Sequence, residues 1–166
     1  LGIVLIGMTV FGLGLFFWFQ RLPFRQRQPT PMLIRVSFFI FIVALIIVGT
    51  SQVRQTPNIL PWRVTPELMV VFGWFFLGAA AYFAYGLIRP VWGNAAGQLA
   101  GFLAYDLVLI IPFLQRLPTI SPELQISLII YIIVVTYSGL LAIWYLFIAP
   151  KTRIWGSRGN VAVQMT

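Results

Sequence analysis

Three carboxylates make up the acidic chemistry of this 166-residue chain, and only Asp106 falls inside a long apolar run. The other two occupy matched settings, Val64-Thr65-Pro66-Glu67-Leu68 and Ile120-Ser121-Pro122-Glu123-Leu124. Both settings read as helix starts. A hydroxyl at Thr65 or Ser121 can accept from a free backbone N–H, proline suits the first helical position, and glutamate meets the positive end of the helix dipole.

Asp106 has no such local explanation. A charged aspartate at the centre of a membrane helix costs about 2.5–3.5 kcal/mol on insertion scales, so its carboxyl should be protonated, paired or turned toward a polar cavity. Counting depth from span ends puts Tyr82, Thr136, Tyr137 and Ser138 at its level. These four hydroxyls and Asp106 form the candidate midplane polar cluster. Such a cluster could handle a proton or substrate, or could be an interhelical or intersubunit hydrogen bond that fixes packing. Arg89 lies near the end of its run and should snorkel to the interface instead of pairing with Asp106.

Other chemistry is excluded by composition. The chain has no histidine and no cysteine, which removes the commonest haem and zinc ligand together with thiolate ligation, disulfides and thiol catalysis. No phosphate-binding glycine loop, nucleophile elbow, HExxH or paired carboxylates occur. No catalytic residue and no cofactor held by the chain's own ligands is therefore expected, although a lipid or quinone tail could lie against it.

The elements that must position Asp106 are set by hydropathy. The chain is 60% hydrophobic and 8% charged, with mean hydropathy +0.96, against roughly 25% charged residues in soluble domains. A hydrocarbon exterior needs no charged coat. Crossing it takes about 20 apolar residues in a helix, which predicts an all-α integral membrane protein of five transmembrane helices with short loops. The expected spans are Leu1–Phe19, Met32–Thr50, Leu68–Trp92, Ala95–Leu114 and Gln125–Ala149. The fourth carries Gln98, Asp106 and Pro112, so a re-entrant path is its alternative. None of the connections is long enough for a separate domain.

Small residues mark where helices could approach closely. Gly97 and Gly101, with Ala96, Ala100 and Ala104 repeating every four residues, make a smooth stripe on the fourth span and a candidate helix-packing surface. Gly73, Gly78, Ala79 to Ala81 and Gly86 make the third span similarly compact. The two Pro-Glu helix starts, with Trp92-Gly93 and Trp155-Gly156, raise an internal duplication of helical hairpins, for which shared capping chemistry is the alternative.

Basic residues lie between and after the apolar runs instead of along one polar face, so nucleic acid is not an expected partner. Arg21, Arg25, Arg27, Arg35, Arg89, Lys151, Arg153 and Arg158 fall on one side, and Arg54, Arg63 and Arg116 on the other. That eight-to-three bias places the C-terminus in the cytoplasm and the N-terminal end of the first span outside. The Gln20–Pro31 segment could also bind anionic lipid headgroups. Trp18, Trp62, Trp92 and Trp155 fall at span ends, where an indole suits the headgroup layer, while Trp74 and Trp144 read as lipid-facing or packing groups. The chain opens at Leu1 inside an apolar run without an initiator Met, which reads as the loss of a short N-terminal stretch. No basic segment precedes that run, so a cleaved signal peptide is not expected.

These features lead to one functional expectation and one alternative. The first is a non-catalytic membrane subunit of a larger energy-transducing complex, respiratory or photosynthetic, whose partners are other membrane-protein subunits and lipids. The alternative is a small transporter or channel that uses Asp106.

Overall fold

A computed structural model describes residues 28–153 without interruption, together with Gly7, 10–15, Phe17, Trp18 and Arg21. Its named helices are α1 (Met32–Val53), α2 (Pro66–Ile88), α3 (Trp92–Arg116) and α4 (Pro122–Ile143), the last continuing through a π turn at Trp144–Ile148. Four spans of 22 to 27 residues reach about 33–40 Å, enough to cross a ~30 Å hydrocarbon core. The chain is an all-α, multi-pass integral membrane protein. Residues 10–15, Phe17 and Trp18 of the first apolar run are helical and exposed. Apart from Gly7, the rest of that expected span lies outside the described residues, as do Arg25, Arg27, Trp155, Gly156 and Arg158.

Local chemistry sets the helix ends. Val53 closes α1 in a left-handed cap: Gln55 has φ 57°, its N–H donates to Gln52 O at 2.9 Å, and Thr56 N–H reaches Ser51 O at 2.9 Å. Two carbonyls of the last turn are thereby satisfied. At the start of α2, Thr65 Oγ1 accepts from Leu68 N–H at 3.4 Å and Pro66 takes the first position. The matching expectation for Ser121 fails. Its side chain makes no cap hydrogen bond, so the two Pro-Glu starts share sequence but not capping geometry.

The expected third span runs too far. Pro90 disfavours the helical region for the residue before it, Arg89 turns out at φ −113° and ψ 78°, and α2 ends at Ile88. Trp92 opens α3 instead of closing α2. The fourth span is not re-entrant, because α3 continues through Pro112, which lies exposed.

Packing proceeds mainly by hairpins, α1 on α2 and α3 on α4. Glycine permits the first. A Cβ on Gly73 would lie 2.7 Å from Val53 Cγ2 and 2.8 Å from both Gly49 O and Val53 N, so the two backbones meet with no room for a side chain.

A buried cluster then joins all four helices at one end, with Ile34, Phe38, Phe83, Trp92, Leu99 and Ala142 among its members. Phe83 is its hub, 5.0 Å from Phe38 and 4.7 Å from Phe102 between ring centroids, both edge-on, the geometry that aromatic quadrupoles prefer. Trp92 is 1% exposed, which corrects its assignment to the headgroup layer: its indole is core. At the same end, Thr30 N–H donates to Pro90 O at 2.9 Å and Trp92 N–H to Gln28 O at 2.7 Å, tying the lead into α1 to the α2–α3 turn. At the opposite end, Ser127 Oγ donates to Asn58 O at 2.6 Å, and Trp62 stacks on Phe113 at 6.1 Å.

Candidate functional site

Asp106 stands ten residues before the end of α3, about 15 Å along the axis from Arg116. Its residue is 3% exposed and faces α4, where Ser138 Oγ lies 2.7 Å from Asp106 Oδ2. Ser138 Oγ is also 2.8 Å from Val134 O and 3.2 Å from Val135 O. One hydroxyl proton cannot serve the carboxyl and Val134 O equally well. When Asp106 carries the proton it can share it with Ser138 Oγ, leaving the serine hydroxyl free to donate to Val134 O. Asp106 Oδ1 is buried without a partner.

The remaining hydroxyls of the expected cluster do not join this pair. Tyr137 Oη lies 2.7 Å from Ser37 Oγ on α1, and Ser37 Oγ itself donates to Leu33 O at 2.9 Å. Adjacent residues on α4 point about 100° apart around a 3.6-residue turn, so Tyr137 serves α1 while Ser138 serves α3. Thr136 faces outward. The Tyr82 ring is 48% exposed, and its contribution is its backbone carbonyl. That carbonyl accepts from Gln98 Nε2 at 2.5 Å.

Two polar ties were not read from the sequence. Gln98, 0% exposed, bridges α2 and α3, and a Cβ on Gly86 would collide with its amide. Gly86 thus makes room for a hydrogen bond as well as for a helix. Ser37 is the second. A lone serine in the apolar stretch between Arg35 and Gly49 was the available signal.

The expected packing stripe is placed the other way round. Gly97, Gly101 and Ala104 are exposed, and no atom comes within 4 Å of a Cβ built on Gly97 or Gly101. Trp92, Ala95, Leu99, Leu103 and Asp106 form the buried side of α3. Close approach within the chain falls instead to Gly49 and Gly73.

Gly139, beside Ser138, has room to spare: a Cβ there would sit 3.7 Å from Asp106 Cβ and Oδ2, ordinary contact. Gly139→Ala is expected to leave the Asp106–Ser138 pair intact and to raise stability by about 0.5–1 kcal/mol, the helix-interior penalty of glycine. Thermal unfolding in detergent checks this, and a fall in the midpoint would mean that the α3–α4 contact is tighter than described.

Among the described residues no group of three or more Asp, Glu, His or Cys side chains is placed to hold a metal ion. The arrangement around Asp106 can order two helices and hold one exchangeable proton at mid-depth. Comparison with protein-family models, with curated proteins and with solved structures found no match to this chain.

Proposed function

We propose that this chain is a non-catalytic integral membrane subunit that packs against cofactor-bearing subunits of a larger energy-transducing complex, respiratory or photosynthetic. The observation that carries this reading is the outward-facing stripe of Gly97, Ala100, Gly101 and Ala104 on α3. Each helical glycine costs about 0.5–1 kcal/mol relative to alanine, and lipid chains give nothing back for a small residue. A helix of another subunit does, because its backbone can approach closely.

The redox assignment rests on composition. Lacking histidine and cysteine, the chain would leave ligation to its partners and contribute packing surface. Its orientation in this reading follows the basic residues, with Arg35, Arg89, Lys151 and Arg153 at the cytoplasmic end.

Gentle extraction, size separation and mass spectrometry of the native protein test the proposal. Co-migration with cofactor-bearing subunits in a fixed ratio is expected, and Gly101→Leu should release the chain without lowering its own unfolding midpoint. Migration of the parent chain alone would sink the reading.

A second reading is favoured by Asp106 Oδ1, a buried polar atom without a partner: a small transporter or channel that moves a proton through this carboxyl. Asp106→Asn separates the two. Lost proton-coupled flux with unchanged assembly would select transport, and weakened assembly would select packing.

A further inference from the structure

At the end of the molecule away from the main aromatic cluster, an open cavity of about 780 Å³ lies between the last turn of α3, the first turn of α4 and the loop that leads into α2. Arg63 comes from that loop, Arg116 and Gln115 from α3, and Ser121 from the start of α4. Pro112 and Leu124 continue the wall along the spans. Separate stretches of chain therefore bring two arginines, with Gln115, Thr119 and Ser121, to one recess at the level of the helix ends.

The recess is unmatched in charge and in hydrogen bonding. The chain's three carboxylates, Glu67, Asp106 and Glu123, are all described, and among the described residues none forms a salt bridge with Arg63 or Arg116. Glu123 is exposed and does not line the cavity. Ser121 lines it, and its Oγ is buried without a hydrogen-bond partner, although its position suits a helix cap. Guanidinium groups match oxyanions through paired N–H donors.

We propose that this cavity binds a phosphate-type oxyanion, with Arg63 and Arg116 as its charge partners and Ser121 and Gln115 as hydrogen-bond donors. A headgroup phosphate and free phosphate share this chemistry. The apolar wall of Pro112 and Leu124 gives a lipid's glycerol and upper acyl carbons a surface to follow toward the hydrocarbon. The inference does not depend on the subunit reading.

The full chain, reconstituted in phosphatidylcholine discs doped with phosphatidylglycerol, is examined by native mass spectrometry for retained anionic lipid. In parallel, inorganic phosphate is titrated against the thermal midpoint in neutral detergent. One phosphatidylglycerol should remain on the parent protein, and retention should fall by roughly thirty-fold in an Arg63→Gln/Arg116→Gln variant, the effect of two headgroup-level cations. Arg89→Gln, at the opposite end, should behave as the parent. A midpoint shift with inorganic phosphate that disappears in the double variant would assign the site to the free ion.

Ser121→Ala provides an independent check, because that hydroxyl supports nothing else in the fold; it should weaken retention several-fold. Equal binding by parent, double variant and Ser121→Ala would overturn the proposal. So would a loss in Arg89→Gln as large as in the double variant, since binding would then reflect total charge.

Discussion

Gly73→Ala is expected to destabilise the protein by about 2–3 kcal/mol, the upper part of the range for forcing a methyl group into a filled space. Two of the three atoms that the new Cβ would meet are backbone, Gly49 O and Val53 N, each at 2.8 Å, and neither can rotate away. Gly49→Ala should cost less, because its nearest obstacle is the Leu77 side chain, with Cγ at 2.9 Å. Gly78→Ala meets nothing within 4 Å and serves as the control on the same helix. Denaturant-induced unfolding in mixed micelles would measure all three. The order Gly73, Gly49, Gly78 is the result to look for, and equal midpoints for Gly73→Ala and Gly78→Ala would show that α1 and α2 do not touch as described.

Removing the hydroxyl of Ser138 should have the second large effect. Hydrogen bonds between membrane helices average only about 0.6 kcal/mol and reach about 1.7, so the lost bond by itself predicts little. The larger part comes from what remains: Ser138→Ala leaves Asp106, at 3% exposure, with no side-chain partner on α4. An unsatisfied buried polar group costs about 1–3 kcal/mol, and a total near 2 kcal/mol is expected.

Replacing both partners should restore most of that stability. Asp106→Leu with Ser138→Ala leaves apolar groups facing each other, so the double variant should be more stable than Ser138→Ala alone. A double-mutant cycle read from the same unfolding curves measures the coupling. Strict additivity would mean that the carboxyl finds another partner and that the pair contributes nothing specific.

Much of the local structure was legible because its causes are local. Four apolar runs became four helices, Pro66 and Pro122 opened the helices they were expected to open, and Thr65 caps α2 as its position suggests. Errors of a few residues arose where two signals competed. Leu68–Trp92 looked like one apolar run, but Pro90 divides it, and Trp92 then packs against Tyr145 at 6.4 Å between ring centroids instead of facing headgroups.

Which residues would meet was much less legible. In a soluble helix, a polar face and an apolar face tell inside from outside. Lipid is as apolar as a protein core, so α1, α2 and α4 carry little record of which side turns inward. The choice is made by shape, as Gly49 against Gly73 and Gly86 against Gln98 illustrate.

The candidate cluster divides along the same line. Depth along a span can be counted in residues, which put Tyr82, Thr136, Tyr137 and Ser138 level with Asp106. Angle around a helix depends on which neighbours it acquires, and that sent Tyr137 to Ser37, Thr136 outward and only Ser138 to the carboxyl. By itself the sequence determined that this is an all-α membrane protein with one carboxylate in the depth of a span, because length, hydropathy and charge act residue by residue. Only the tertiary structure decided that α3 turns Asp106 inward and its glycine stripe outward, because a polar or small residue within a span can serve a neighbouring helix of the same chain or face outward, and how surfaces fit decides which.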